Sequence, residues 1–165
     1  MVILGIDPGL AIVGWGVLEC VKGQFRVMGY GSIQTKAGLP VEDRIKQIYD
    51  SMNIIIDKYK PEVMAIEELF WNTNQKTGIS VAEARGVILL SAHNKGLQIN
   101  EYTPLQVKQA VVGYGRAEKK QVIAMVTSIL KLPKPPKPDD TADALAIAIC
   151  QGHAGSSVLG KYYKM

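Results

Sequence analysis

Val2-Ile3-Leu4-Gly5-Ile6-Asp7-Pro8-Gly9, at the start of the chain, reads as a buried strand running into a turn. Val2 to Ile6 carries no polar side chain, which suits a strand covered on both faces. Asp7-Pro8-Gly9 ends it, because Pro presets φ and Gly accepts positive φ. Two Val/Ile/Tyr-rich runs follow, Ala11 to Cys20 and Gln24 to Thr35, separated by the hairpin signal Lys22-Gly23. Three consecutive strands with short connections predict an antiparallel meander.

Beyond Thr35 the period changes. Val41, Ile45, Ile48, Met52, Ile55 and Ile56 recur at helical spacing up to Tyr59, and Lys60-Pro61 ends that helix. Val63 to Glu67 is a fourth short strand. The helix after it starts either near Asn74 or at the capping box Ser80-Val81-Ala82-Glu83, and ends at Lys95-Gly96. Leu97 to Tyr102 makes a fifth strand, and Thr103-Pro104 opens a short helix to about Val111. Gly113-Tyr114-Gly115 breaks the chain before a helix over Ala117 to Leu130. Pro133-Lys134-Pro135-Pro136-Lys137-Pro138 is a stiff, extended, basic connector. Asp139 or Asp140 caps a last helix through Cys150. The order β-β-β-α-β-α-β-α-α-α predicts an α/β fold with a mixed five-stranded sheet, meander plus parallel strands, and helices on both faces. One domain is expected over residues 1–151, with a flexible tail over 152–165.

The 165 residues are 47% hydrophobic and 21% charged, which excludes a disordered chain. Two Cys and two His give neither a disulfide framework nor a recognisable zinc spacing, so any metal is expected to be held by oxygen. No segment reaches the ~20 apolar residues that span a bilayer, and the N-terminus has no signal-peptide character. A cytoplasmic protein without membrane contact is expected.

The net charge of +4 is unevenly spread. Residues 1–101 hold 10 basic and 11 acidic side chains, whereas residues 102–138 hold seven (Lys108, Arg116, Lys119, Lys120, Lys131, Lys134, Lys137) against Glu118 alone. For any one lysine a solvated helix face is the ordinary reading, but seven against one favours phosphate contacts. An acidic knot, Asp139, Asp140 and Asp143, follows at once.

Asp7 ends the first strand and Glu67 the fourth. If those strands pair in parallel, both carboxylates emerge at the same sheet edge, where open α/β sheets bind ligands. Asp140 and Asp143, at i and i+3, share one helix face. Each has an ordinary alternative: Asp7 as a turn residue, Glu67 as a solvated strand end, the aspartates as partners of the helix dipole. Four carboxylates converging on one spot resist ionising together unless cations intervene. Oxygen ligation suits Mg²⁺ or Mn²⁺, and two such ions about 4 Å apart activate water and stabilise a leaving oxygen. The residues alone therefore point to a carboxylate–metal site on a basic protein.

Taken together, Ile-Leu-Gly-Ile-Asp-Pro-Gly (3–9), Ala-Ile-Glu-Glu-Leu-Phe (65–70), Glu-Ala-Arg-Gly-Val (83–87), Gln-Val-Lys-Gln-Ala-Val-Val-Gly (106–113) and Asp-Asp-Thr-Ala-Asp-Ala-Leu-Ala (139–146) resemble the RuvC family of Holliday junction resolvases. The resemblance covers essentially the whole chain. It implies an RNase-H-like fold, a homodimer, and Mg²⁺-dependent paired nicking of four-way DNA junctions in recombination and repair, with Mn²⁺ able to substitute. RuvA and RuvB are the implied branch-migration partners. The family's acidic residues map onto Asp7, Glu67, Asp140 and Asp143, as catalytic and metal-holding groups. Asp139 is a neighbour that a one-place shift would bring in. The family's junction-contacting aromatic maps onto Phe70 and its phosphate-facing lysines onto Lys108 and Lys119, with Lys120 as a further DNA-binding neighbour. The Pro/Lys connector is richer in Pro and Lys than the family pattern.

Three other kinds of protein share parts of this pattern. YqgF-like RNase-H-fold nucleases acting on RNA share an Ile-x-Asp-Pro-Gly opening but not Ala-Ile-Glu-Glu-Leu-Phe. Actin-like ATPases need a second domain. A non-catalytic DNA-binding module would not aim four carboxylates at phosphate. Setting those four aside leaves 19 basic against 11 acidic groups, so the modest +4 hides an acidic pocket in a basic surface.

Overall fold

The computed structural model describes residues 1–69 and 75–156, apart from the side chains of 75, 76 and 156. Phe70 and residues 157–165 lie outside the described residues. The elements are β1 (Val2–Asp7), β2 (Ile12–Val21), β3 (Gln24–Gln34), α1 (Val41–Tyr59), β4 (Val63–Glu67), α2 (Gln75–Asn94), β5 (Gln98–Tyr102), α3 (Pro104–Val112), α4 (Lys119–Ile129) and α5 (Asp139–Ser156). They follow the expected order, and the five strands form one sheet in the order β3-β2-β1-β4-β5. The meander pairs are antiparallel, whereas β1–β4 and β4–β5 are parallel.

Alternation along the strands sorts the core into two layers. Leu4, Ile6, Met64 and Ile66 face α1 and α2, packing on Ile48, Met52, Ala84 and Ile88. Ile3, Val63 and Ala65 face the other way, onto Val107, Val122, Leu145 and Ile149 of α3, α4 and α5. Continuing that alternation by one step puts the side chains of Asp7 and Glu67 on the α5 face. The apolar stripe Ala84, Ile88 and Ala92 of α2 is core, as its spacing suggests, while Leu90 is half exposed.

Three glycines let α5 lie unusually close to the sheet. A Cβ on Gly5 would overlap the Ala144 carbonyl, one on Gly14 the Asp140 carbonyl, and one on Gly16 the Leu145 side chain. Gly14 is the register partner of Asp7. The missing side chain on β2 is thus what admits the start of α5 beside Asp7. Gly5→Ala is expected to force α5 outward and cost about 2 kcal/mol, a fall in Tm of roughly 4–8 °C. Thermal melting checks this, and an unchanged Tm would show that α5 is not held by that close approach.

α2 begins at Gln75, the earlier of its two expected starts, so Ser80 to Glu83 lie inside it. One boundary differs from the expectation. α5 passes Cys150 and Gly152 and ends at Ser156, so residues 152–156 continue a helix where a tail was expected. Gly152 reads as a breaker, yet a Cβ there would overlap the Phe25 ring. Its smallness serves packing against β3.

Candidate active site

Asp7 and Glu67 end adjacent parallel strands, and the β1–β4 ladder closes one residue earlier at Ile6 and Ile66. Asp140 and Asp143 sit in the first turns of α5, where the helix dipole favours negative charge. Asp143, Glu67 and Asp140 are all close enough to act on Asp7. Burial, then the charges of Asp143, Glu67 and Asp140, push the Asp7 carboxyl up to about 8, against the opposing pull of Lys119. Glu67 is also raised, chiefly by burial and by Asp143, with Lys119 and Lys108 working the other way. Asp143 is raised by burial in spite of its bond from Lys119.

Beside these acids a cleft of about 190 Å³ opens between α3, α4 and α5. Glu67, Lys108, Lys119 and Asp143 supply its charged part, and Val107, Val122, Ala146 and Ile147 its apolar part. Lys119 Nζ donates to Asp143 Oδ2 at 3.0 Å. Desolvation works against the Lys119 ammonium, but the bond and charge of Asp143, with Asp139 and Asp140, hold it above the usual lysine value. Lys119 is the first residue of α4. A cation at that end opposes the helix dipole, so helix stability does not explain it. Local bonds set its position: Gln121 Oε1 accepts from the Glu118 amide at 2.8 Å and from the Tyr114 hydroxyl at 2.9 Å. Lys108 is carried by α3, which opens with Thr103 Oγ1 accepting from the Gln106 amide while Gln106 Oε1 accepts from that of Thr103.

Among the described residues, no group of three or more His, Cys, Asp or Glu stands closely enough to hold a metal ion in this arrangement. Asp143 is turned to Lys119 instead. The donor set is nonetheless all oxygen, and burial together with its acidic neighbours pushes the carboxyl of Asp7 up to about 8. Those features fit a hard divalent ion.

A family model described as crossover junction endodeoxyribonuclease RuvC matches residues 3–151. The chain belongs to the RuvC family. RuvC of Alkaliphilus oremlandii is 55% identical over 156 residues, covering 94% of this chain and 95% of that protein. RuvC of Halothermothrix orenii is 58% identical over 154 residues, 93% of each chain. Among solved structures, Thermus thermophilus RuvC in complex with Holliday junction substrate superposes with a TM-score of 0.89 at 34% identity, covering 94% of this chain and 95% of that one. The RNase-H-like architecture inferred from the motifs is therefore that of RuvC.

Of the residues mapped from the RuvC pattern, the structure gathers Asp7, Glu67, Asp140, Asp143, Lys108 and Lys119. Lys120 is exposed and does not line the cleft. In the block Glu83-Ala84-Arg85-Gly86-Val87 nothing in the sequence signals a contact of Arg85 with the strand end that bears Glu67. Its guanidinium reaches the main chain of Glu67 from the opposite face of the sheet.

Proposed function

We propose that the acidic cleft is where this RuvC-family endonuclease hydrolyses phosphodiesters of four-way DNA junctions, in recombination and repair. The observation that carries this reading is the burial of Asp7 among three further carboxylates, with Lys119 and Lys108 beside them. Asp7, Glu67, Asp140 and Asp143 would hold Mg²⁺, or Mn²⁺ in its place, with two ions per site. The cation's chemistry there is to lower the pKa of water and neutralise phosphoryl oxygens.

The chain's own groups supply the rest. Lys108 and Lys119 contact oxygens of the scissile phosphate and offset the charge that develops in the transition state. The apolar wall of Val107, Val122, Ala146 and Ile147 keeps water from the lysine stems, which strengthens their charges. Lys120 meets a phosphate outside the cleft. Phe70 stacks on or wedges between bases near the branch point; Phe70→Ala is expected to lower cleavage with little change in Tm, and a matching loss of stability would make it a core residue instead.

Two symmetric cuts call for two sites related by a two-fold axis, so the working form is a homodimer. Sedimentation should give twice the chain mass, and a strict monomer contradicts paired nicking. RuvA and RuvB are its proposed branch-migration partners in the cytoplasm, and no described helix is long and apolar enough to cross a membrane. Co-sedimentation of the protein with RuvA- and RuvB-bound junctions tests that partnership. The substrate assignment is tested by incubating the protein with a synthetic four-way junction or a matched linear duplex, with and without Mg²⁺. Paired nicks with 5′-phosphates, confined to the junction and to Mg²⁺, are expected. Equal cutting of the duplex, or preference for RNA, would overturn it.

A further inference from the structure

The carbonyl of Glu67 lies beyond the last paired residues of β1 and β4. A half-buried main-chain oxygen in that position needs a donor from elsewhere. Arg85, in the middle of α2, supplies it: Nε donates to the Glu67 carbonyl at 3.4 Å, a long bond. Its Nη2 lies 3.0 Å from Glu101 Oε2. That contact is an ion pair without a hydrogen bond, and Nη2 is fully buried with no hydrogen-bond partner among the described residues. The Arg85 side chain is only 13% exposed.

Register explains why these three meet. Glu101 pairs with Ile66 and Tyr102 with Glu67 across β4 and β5. Ile66 packs toward α1 and α2, so Glu101 shares that face and Glu67 points its carboxylate to the other. The Glu68 amide donates to the Tyr102 carbonyl at 2.9 Å, tying down the next residue. Arg85 thus grips the backbone of Glu67 from behind the sheet, while the carboxylate serves the cleft in front. A buried guanidinium with donors to spare is costly for stability alone, since an apolar residue of similar volume packs the same space without desolvating a charge.

We propose that Arg85, countered by Glu101, is a positioning residue that sets the depth and aim of the Glu67 carboxylate. It rests on the reading of Glu67 as part of the active site. Lysine cannot replace it, because an ammonium is a point charge without the rigid fork that spans a carbonyl and a carboxylate. The pair also ties β4 and β5 to α2, so the strand end that bears Glu67 is held from two other elements at once.

The test compares wild type with Arg85→Lys, Arg85→Met and Glu101→Gln in full-length protein. Thermal melting, Mn²⁺ affinity by calorimetry without DNA, junction affinity without metal, and single-turnover cleavage are read for each. For Arg85→Lys we expect Tm within a few degrees of wild type and junction affinity within about twofold, with Mn²⁺ binding weakened about tenfold and cleavage slowed about 10- to 100-fold. Glu101→Gln should move the same readouts in the same direction by less. Wild-type metal affinity and cleavage in folded Arg85→Lys would overturn the proposal. So would losses in all three variants that merely follow the folded fraction. Glu67→Gln separates the two claims: if that variant still cleaves, the assignment of Glu67 fails, whatever Arg85 does.

Discussion

Asp7→Asn is expected to abolish junction cleavage, by about a thousandfold or more, and in the same molecule to raise the Tm of the metal-free protein at pH 8. Both follow from one environment. The carboxyl is displaced from 3.8 to about 8 by burial and by its acidic neighbours. Below pH 4 it is protonated in the folded and unfolded chain alike, and the substitution changes little. Between pH 4 and 8 the unfolded chain releases this proton and the folded chain keeps it, so the metal-free wild type loses stability as pH rises. The amide has no proton to release. The gain should therefore be absent near pH 4, grow through neutrality and level off above pH 8, reaching roughly 5 °C or more. Added Mg²⁺ should reverse the order by stabilising the wild type more than the variant. Junction affinity should stay within about threefold, because the lysines remain. Melting curves at pH 4, 6 and 8, with and without Mg²⁺, check the sign. A variant less stable than wild type at pH 8 without metal would contradict the buried, crowded carboxyl.

Lys119→Gln carries the second large effect, and it divides two properties that loss of a merely structural lysine would lower together. Lys119 is bonded to Asp143 at 3.0 Å, so in the metal-free protein the ammonium neutralises a carboxylate the cation would claim. Removing it should slow cleavage about 10²- to 10³-fold, the usual cost of losing one preorganised charge at a reacting phosphate. It should also tighten Mn²⁺ binding several-fold in the absence of DNA, because Asp143 is released. Calorimetry and single-turnover cleavage on the same preparation read both. Weaker metal binding together with slower cleavage would mean that Lys119 supports the acidic site rather than competing for it.

Much of this architecture was legible in the chain because its signals are local. Apolar runs, Thr103-Pro104 and Lys60-Pro61 mark the elements in their observed order. Parallel pairing of β1 with β4 is enough to bring Asp7 and Glu67 to one edge and, by alternation, to one face. The rest depends on partners distant in sequence. Gly5, Gly14 and Gly16 look like ordinary strand glycines until α5 arrives from more than a hundred residues away. Gly152 looks like a helix end for the same reason. The start of α2 carries no capping signal as strong as Ser80 to Glu83, which lies within the helix. Arg85 gave no sign of its role because its two contacts come from other strands. The family pattern separates Lys119 from Lys120, but only the fold shows Lys119 turned to Asp143.

If Asp7, Glu67, Asp140 and Asp143 form one hydrolytic site, each is needed for cutting. The decisive measurement is single-turnover cleavage of a labelled four-way junction in Mg²⁺, using wild type and the four variants Asp7→Asn, Glu67→Gln, Asp140→Asn and Asp143→Asn. Each variant should bind the junction within about threefold of wild type and fail to place either of the two symmetric nicks. Nicking at the wild-type rate by any one of the four would place that residue outside the hydrolytic site.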